Sequence, residues 1–136
     1  MKILGVDFGD SRTGYAISDA LGFGASVVGA FKSGNIKEVA EHTAELAKEL
    51  NAEKIVLGYP KNMNGSLGPR AEKTQRLAGL IKELSDIPII LWDERLTTVS
   101  AHNLMNETNV RGKKRKESVD SISAAYILQG YLDSLK

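Results

Sequence analysis

Asp7, the adjacent acids Asp93 and Glu94, and Asp120 are the residues whose setting in this chain suggests chemistry. Asp7 closes the apolar run Ile3, Leu4 and Val6, so its carboxylate stands beside a buried strand. There it needs a cation, a metal or hydrogen-bond donors to offset lost hydration. A turn-forming aspartate, or a partner for Arg12, is the plainer alternative. Asp93 and Glu94 raise the same question at the end of a second apolar run, IPIILW. Neighbouring side chains on a strand point to opposite faces, so one of the two acids joins Asp7. The longer reach of Glu94 favours it, and Asp93 stays open. Asp120 is expected in the first turn of a last helix, where the helix dipole stabilises an acid. Ser121, Ser123, Ala124 and Ala125 are small enough to let that helix approach a sheet closely.

Carboxylates gathered without a matching cation repel one another. Hard divalent cations resolve that conflict, which points to Mg²⁺ or Mn²⁺, one or two ions, held by oxygen ligands. Two such ions, roughly 3.5–4 Å apart, activate a water and stabilise the leaving oxygen of an in-line phosphoryl displacement. The chain has no cysteine, which excludes thiolate metal sites and disulfides. Its two histidines, His42 and His102, fall in expected helices and read as packing or surface residues, so no Ser-His-Asp set competes.

Cations surround these acids in sequence. Lys61, Arg70 and Lys73 flank a loop at the expected site edge, and Pro69-Arg70 opens a helix whose free N–H groups suit an anion. Arg12 is placed to hold phosphate or to neutralise Asp7 or Asp10, and Arg95 follows the paired acids. The run Arg111–Lys116 (RGKKRK) has five cations in six positions. In most proteins it would be a solvated loop. Just before Asp120, its Arg111, Lys113, Lys114 and Arg115 would track a nucleic-acid backbone.

The elements that must position these groups follow from hydrophobic period. Residues 3–7, 14–18 and 25–31 read as strands separated by turns, an antiparallel meander. Val39, Thr43, Leu46 and Leu50 recur at helical spacing, with Asn35 and Glu38 as a capping box and Asn51 as the stop. Residues 54–59 form a buried strand, and a helix from Pro69 turns Thr74, Leu77, Ala78, Ile81 and Leu84 inward. A last strand covers 87–92, followed by a helix over 98–106 and a basic loop over 107–116. Ser118 then caps a final helix carrying Val119, Ile122, Tyr126 and Leu132 inward. The order βββαβαβαα implies an α/β fold whose mixed five-stranded sheet gathers ligands at the carboxyl ends of its parallel strands. Asp7, the 61–70 loop and Asp93-Glu94 all converge there.

With 136 residues, 42% of them hydrophobic, the chain suits one domain, 1–136, with a real core. No apolar stretch approaches the roughly 20 residues of a membrane span, and residues 1–10 read as a strand rather than a signal peptide. A cytoplasmic location is expected, and membrane partners are not. The net charge of +1 does not announce a nucleic-acid binder, so the charge distribution must carry that reading.

With these residues in view, the chain resembles the YqgF/RuvX family, described as Holliday junction resolvases and as pre-16S rRNA 5′-end processing nucleases. The resemblance runs nearly the whole length, through VDFGDSRTG (6–14), Ser18-Asp19, GYPKNM (58–63) with Gly65, GPRAE (68–72), DERLTT (93–98), and Val119-Asp120-Ser121 leading into Ala124-Ala125. It implies a ribonuclease-H-like fold and metal-assisted phosphodiester hydrolysis. Its acidic set would be Asp7, Glu94 (or Asp93) and Asp120, and its partner structured RNA or branched DNA. Classical RuvC-type resolvases carry a fourth acid three residues after the last-helix Asp. Here that position is Ser123, which tilts the expectation from junction resolution towards RNA processing.

Two other readings stand beside it. One is a non-catalytic nucleic-acid-binding module with the same fold. The other is the phosphate-binding half of an actin-like or sugar-kinase fold, which needs a second similar domain that this length cannot supply. Oligomeric state is not written in the sequence, and a dimer is compatible with it.

Overall fold

Short apolar runs punctuated by tight reversals build the first half of the sheet. A computed structural model describes residues 2–19, 24–59, 68–93 and 112–135, with the backbone course alone at 59, 93 and 112–121. Strands β1 (Lys2–Phe8), β2 (Arg12–Ser18) and β3 (Ala25–Lys32) pair antiparallel in sequence. The β1–β2 reversal depends on Gly9, whose N–H donates to the Arg12 carbonyl at 2.9 Å. A Cβ at Gly9 would stand 2.5 Å from that oxygen, so only glycine closes this turn. β4 (Ala52–Tyr59) adds parallel to β1, and β5 (Ile89–Asp93) adds parallel to β4, giving the order β3-β2-β1-β4-β5.

Helix α1 (Ile36–Glu49) starts at Asn35, whose side-chain oxygen accepts from the N–H groups of Lys37 and Glu38. The expected capping box is rerouted. The Ser33 hydroxyl accepts from the Asn35 N–H and donates to the Glu38 carboxylate, so the return bond passes through a third residue. Asn51 ends the turn with φ 57°, a left-handed conformation that asparagine tolerates.

Helix α2 (Pro69–Leu84) has proline at its start and buries Thr74, Leu77, Ala78 and Ile81 as the period predicts. Leu84 departs from expectation: it is 53% exposed, beside a groove lined by the polar side of α1 rather than under the sheet. β5 starts two residues later than expected. Pro88 has no N–H to give a ladder, and its carbonyl instead accepts from Ile55 N–H at 2.9 Å.

The largest correction concerns the last helix, α3 (Gly112–Ser134). Residues 112–116 were expected in a loop, Ser118 as a cap and Asp120 in the first turn; all lie within the helix. Lys, Arg and Glu are good helix formers, so the charged run propagates the helix it was expected to precede. The dipole argument for Asp120 is thereby lost. The inward row also differs: Ala124, Ile127, Leu128, Tyr131 and Leu132 are buried, whereas Ile122 and Tyr126 are half-buried. The expected helix over 98–106 lies outside the described residues.

Helices cover both faces of the sheet, giving two cores. Leu4, Val6, Ile55 and Leu57 meet α1 and α2 on one face. Ile3, Ala16 and Val56 meet α3 on the other. Among the described residues, no helix is long and apolar enough to cross a membrane.

Candidate active site

Strand alternation assigns Asp7 to a face. Leu4, Val6 and Phe8 belong to the α1/α2 core and Ile3 to the α3 core, so Asp7 shares the α3 face with Ile3 and Gly5. It is half-buried, one residue before β1 ends. Its partner across the β1–β2 ladder is Gly14. On the other side Val6 pairs with Leu57, and the next β4 position is Gly58. The ladder neighbours of Asp7 on both sides are therefore glycines.

Gly5 fixes where α3 crosses. A Cβ there would lie 2.7 Å from Leu128 Cβ and 3.0 Å from the Ala124 carbonyl oxygen, so the helix rests on bare backbone. The direction of α3 follows from its other end. The Gln129 side chain accepts from Ala25 N–H at 3.2 Å, and Ala25 pairs with Ser18, whose hydroxyl accepts from Ile3 N–H at 2.7 Å. The carboxyl-terminal part of α3 thus lies over the start of β1, and the helix runs back towards the Asp7 end as its residue numbers fall. Position 120 is one turn before Ala124, about 6 Å along the helix. Asp7 is two residues beyond Gly5, about 6.6 Å along the strand. The two steps are similar in length, so backbone position 120, in the i, i+4 row of Ala124 and Leu128, comes towards the Asp7 end of β1.

The fifth strand brings Asp93 to the same edge, in register with Tyr59. Ile90 and Trp92 pack in the α3 core, whereas Ile89 packs in the other. Position 93 therefore has the parity of Ile89, not that of Asp7. Glu94 lies outside the described residues, as do Lys61, Arg95 and Arg111. Among the described residues, no cluster of three metal-ligating side chains is present.

The cations are distributed less simply than the sequence suggested. Arg70 and Lys73 lie on the first turns of α2, on the α1/α2 side of the edge, and line a shallow cleft with Phe8, Gly9, Asp10 and Thr74. Lys73 Nζ lies 3.6 Å from Asp10 Oδ1, an exposed pair that links α2 to the β1–β2 turn. Sequence reasoning had weighed Asp10 only as one alternative partner for Arg12 and missed this pairing. Arg12 opens β2, half-buried, and Lys113, Lys114 and Arg115 lie on the first turn of α3. The glycines at 5, 14 and 58 were also missed as site-builders, although Gly14 and Gly58 stand in the motifs quoted for the resemblance. Two buried polar atoms have no hydrogen-bond partner among the described residues, Thr13 Oγ1 and Trp92 Nε1.

Comparison with known proteins now bears on this edge. The model of the RuvX family, described as "Holliday junction resolvase", matches residues 1–134. The chain belongs to the RuvX family. A relative from Ruminiclostridium cellulolyticum named "Putative pre-16S rRNA nuclease" is 48% identical, covering 99% of this chain and 96% of its own. One of the same name from Clostridium tetani is 49% identical over 99% and 98%. Among solved structures, T. thermophilus RuvC in complex with a Holliday junction superposes with a TM-score of 0.63 at 12% identity, over 99% of this chain and 95% of that one. Fowlpox virus resolvase with junction DNA gives 0.59 at 17% identity, over 99% of each. At such identities these two show the fold, which is ribonuclease-H-like as expected. Membership of the RuvX family makes the chain a hydrolase of phosphodiester bonds.

Proposed function

We propose that this RuvX protein is a divalent-metal-dependent nuclease that trims the 5′ end of pre-16S rRNA in the cytoplasm, with Asp7, Asp120 and Glu94 as its acidic set. The observation that supports the site is the close contact of α3 with Gly5, from which Asp7 is two residues away along β1 and position 120 one turn away along α3. Glu94 is preferred to Asp93 because Ile90 and Trp92 pack on the α3 face of β5, which gives position 93 the opposite parity.

A half-buried carboxylate at Asp7, with two further acids assigned to the same edge, suits a hard cation with oxygen ligands, and Mg²⁺ or Mn²⁺ fits that donor set. Asp7, Asp120 and Glu94 would hold such an ion, which would supply water activation and charge stabilisation on the phosphodiester oxygens. The protein groups have separate tasks. Asp7 and Asp120 would supply anionic oxygen ligands from a strand and a helix, with the glycines Gly14 and Gly58 as the ladder neighbours of Asp7. Arg70 and Lys73 attract the phosphate backbone from the α2 side of the edge, with Arg12 and Lys61 as further phosphate contacts. Lys113, Lys114 and Arg115 do so from the α3 side, with Arg95 and Arg111 as further phosphate contacts. These contacts hold backbone and leave base sequence unread.

Resolution of branched DNA is the second reading, favoured by the family's description and by a fold shared with junction-bound resolvases. Against it stands Ser123, half-buried on α3, where RuvC-type enzymes have an acid. The test is cleavage of a 5′-extended 16S precursor and of a four-way DNA junction, with MgCl₂ or MnCl₂, by wild type and Asp7→Asn. Precursor cleavage that falls about 100-fold or more in Asp7→Asn is expected. Undiminished cleavage by Asp7→Asn rejects the site, and cleavage of the junction alone rejects the substrate.

A further inference from the structure

Trp92 is the only tryptophan in the chain, and its indole N–H stands in an unusual position. The side chain is half-buried in the α3 core, where its ring meets that of Tyr131 nearly at right angles, with 6.0 Å between centroids. That contact accommodates the apolar body of the ring. The Nε1 atom is buried and has no hydrogen-bond partner among the described residues. An indole nitrogen can only donate, so burying it without an acceptor is unfavourable.

Strand register identifies the acceptor on this face. Trp92 pairs with Gly58 in the β4–β5 ladder, and Gly58 is the β4 position beside Asp7. Gly14, Asp7, Gly58 and Trp92 therefore form one row across four strands. Asp7 and Trp92 share the α3 face, and the residue between them has no side chain. Their backbones are two strand spacings apart, about 10 Å. Polar groups on one face at that separation meet through a water rather than directly. The other buried atom without a partner, Thr13 Oγ1, belongs to the opposite face, which Thr13 shares with Phe8 and Tyr15.

We propose that Trp92 is a positioning residue of the nuclease site, its indole N–H donating through one bridging water to the carboxylate of Asp7. A donor on one oxygen fixes the orientation of the carboxylate before a cation arrives, and partners of this kind raise metal affinity. The proposal deepens the nuclease reading and rests on it for the role of Asp7 as a ligand. The link between the two side chains is testable on its own.

A single tryptophan gives a single indole signal in a proton–nitrogen correlation spectrum, and a tryptophan analogue replaces this residue alone. In metal-free protein, Asp7→Ala should move that signal and speed exchange of the N–H with solvent by about tenfold or more. Asp10→Asn, which alters an exposed acid on the α1/α2 side of the same edge, should do neither. Calorimetric titration of Mn²⁺ then compares wild type with Trp92→Phe and with protein carrying benzothienylalanine for tryptophan, an isostere whose ring sulfur cannot donate. Both should bind Mn²⁺ about tenfold more weakly, and a matched thermal midpoint checks folding.

An indole signal unmoved by Asp7→Ala overturns the link and leaves the N–H to the ring of Tyr131. Wild-type Mn²⁺ affinity in the benzothienylalanine protein overturns the positioning role. If Asp7→Ala itself binds Mn²⁺ normally, the nuclease site fails, while the indole signal still decides whether Trp92 holds Asp7.

Discussion

The two faces of the sheet are built from different materials. Against α1 and α2 the strands present Leu4, Val6, Ile55, Leu57 and Tyr15, large side chains that meet Leu77 and Ile81 from α2. Against α3 they present Ile3, Val56, Ile90 and Trp92 as well, but only Gly5 and Ala16 near the helix crossing, with Gly14 and Gly58 as the ladder neighbours of Asp7. Bulk on the first face buries apolar area, which is the main source of stability. The missing side chain at Gly5 on the second brings a helix backbone almost onto the strand, towards the end where Asp7 stands. Packing and the candidate chemistry thus lean on opposite faces of one small sheet.

That separation can be broken from either side. Leu57→Ala, on the packed face, should cost about 2–5 kcal/mol of unfolding free energy by removing fully buried methyl groups. Activity per folded molecule should change little, which denaturant melts paired with activity assays would check. Gly5→Ala, on the open face, should cost less, about 1–3 kcal/mol, because Leu128 and Ala124 must move away from the new methyl group. Its effect on cleavage should nevertheless exceed that of Leu57→Ala, since moving α3 separates position 120 from Asp7. A Gly5→Ala protein with full activity would mean that the close crossing does not set the site.

The smallest effect belongs to Tyr15, which is buried and hydrogen-bonded to the Thr43 hydroxyl at 2.7 Å. Burial pushes its phenol up to about 12 from the usual 10, with the Thr43 bond pulling the other way. The raised value means that the folded state holds the proton more tightly than the unfolded chain. This contribution is complete below pH 10 and is lost as pH rises from 10 towards 12, by about 1.4 kcal/mol per unit. Urea melts at pH 9 and 11 should show the loss in wild type and a weaker one in Tyr15→Phe.

The packed face was the more legible one in sequence. Hydrophobic period reads directly onto strands β1 and β4 and helices α1 and α2, because local spacing decides which side each residue takes. Asp7 was legible too, as an acid terminating an apolar run. The start of α3 was not. A run such as KKRKE suits a solvated loop by charge and a helix by propensity, and propensity won. Nor could the choice between Asp93 and Glu94 be read from spacing alone, since it depends on which face carries α3. Gly5 looked like any strand glycine until a residue more than a hundred positions away was found 2.7 Å from its missing Cβ. Long-range contact, not local pattern, builds the open face.

The central claim is that Asp7 and Asp120 hold one metal-dependent centre between β1 and α3. Calorimetric titration of Mn²⁺ into wild type, Asp7→Asn and Asp120→Asn tests it most directly. Wild type should bind, and each substitution alone should weaken binding by at least about tenfold, with thermal midpoints in the absence of metal close to that of wild type. Binding that survives intact in both variants, or in either one, would contradict it.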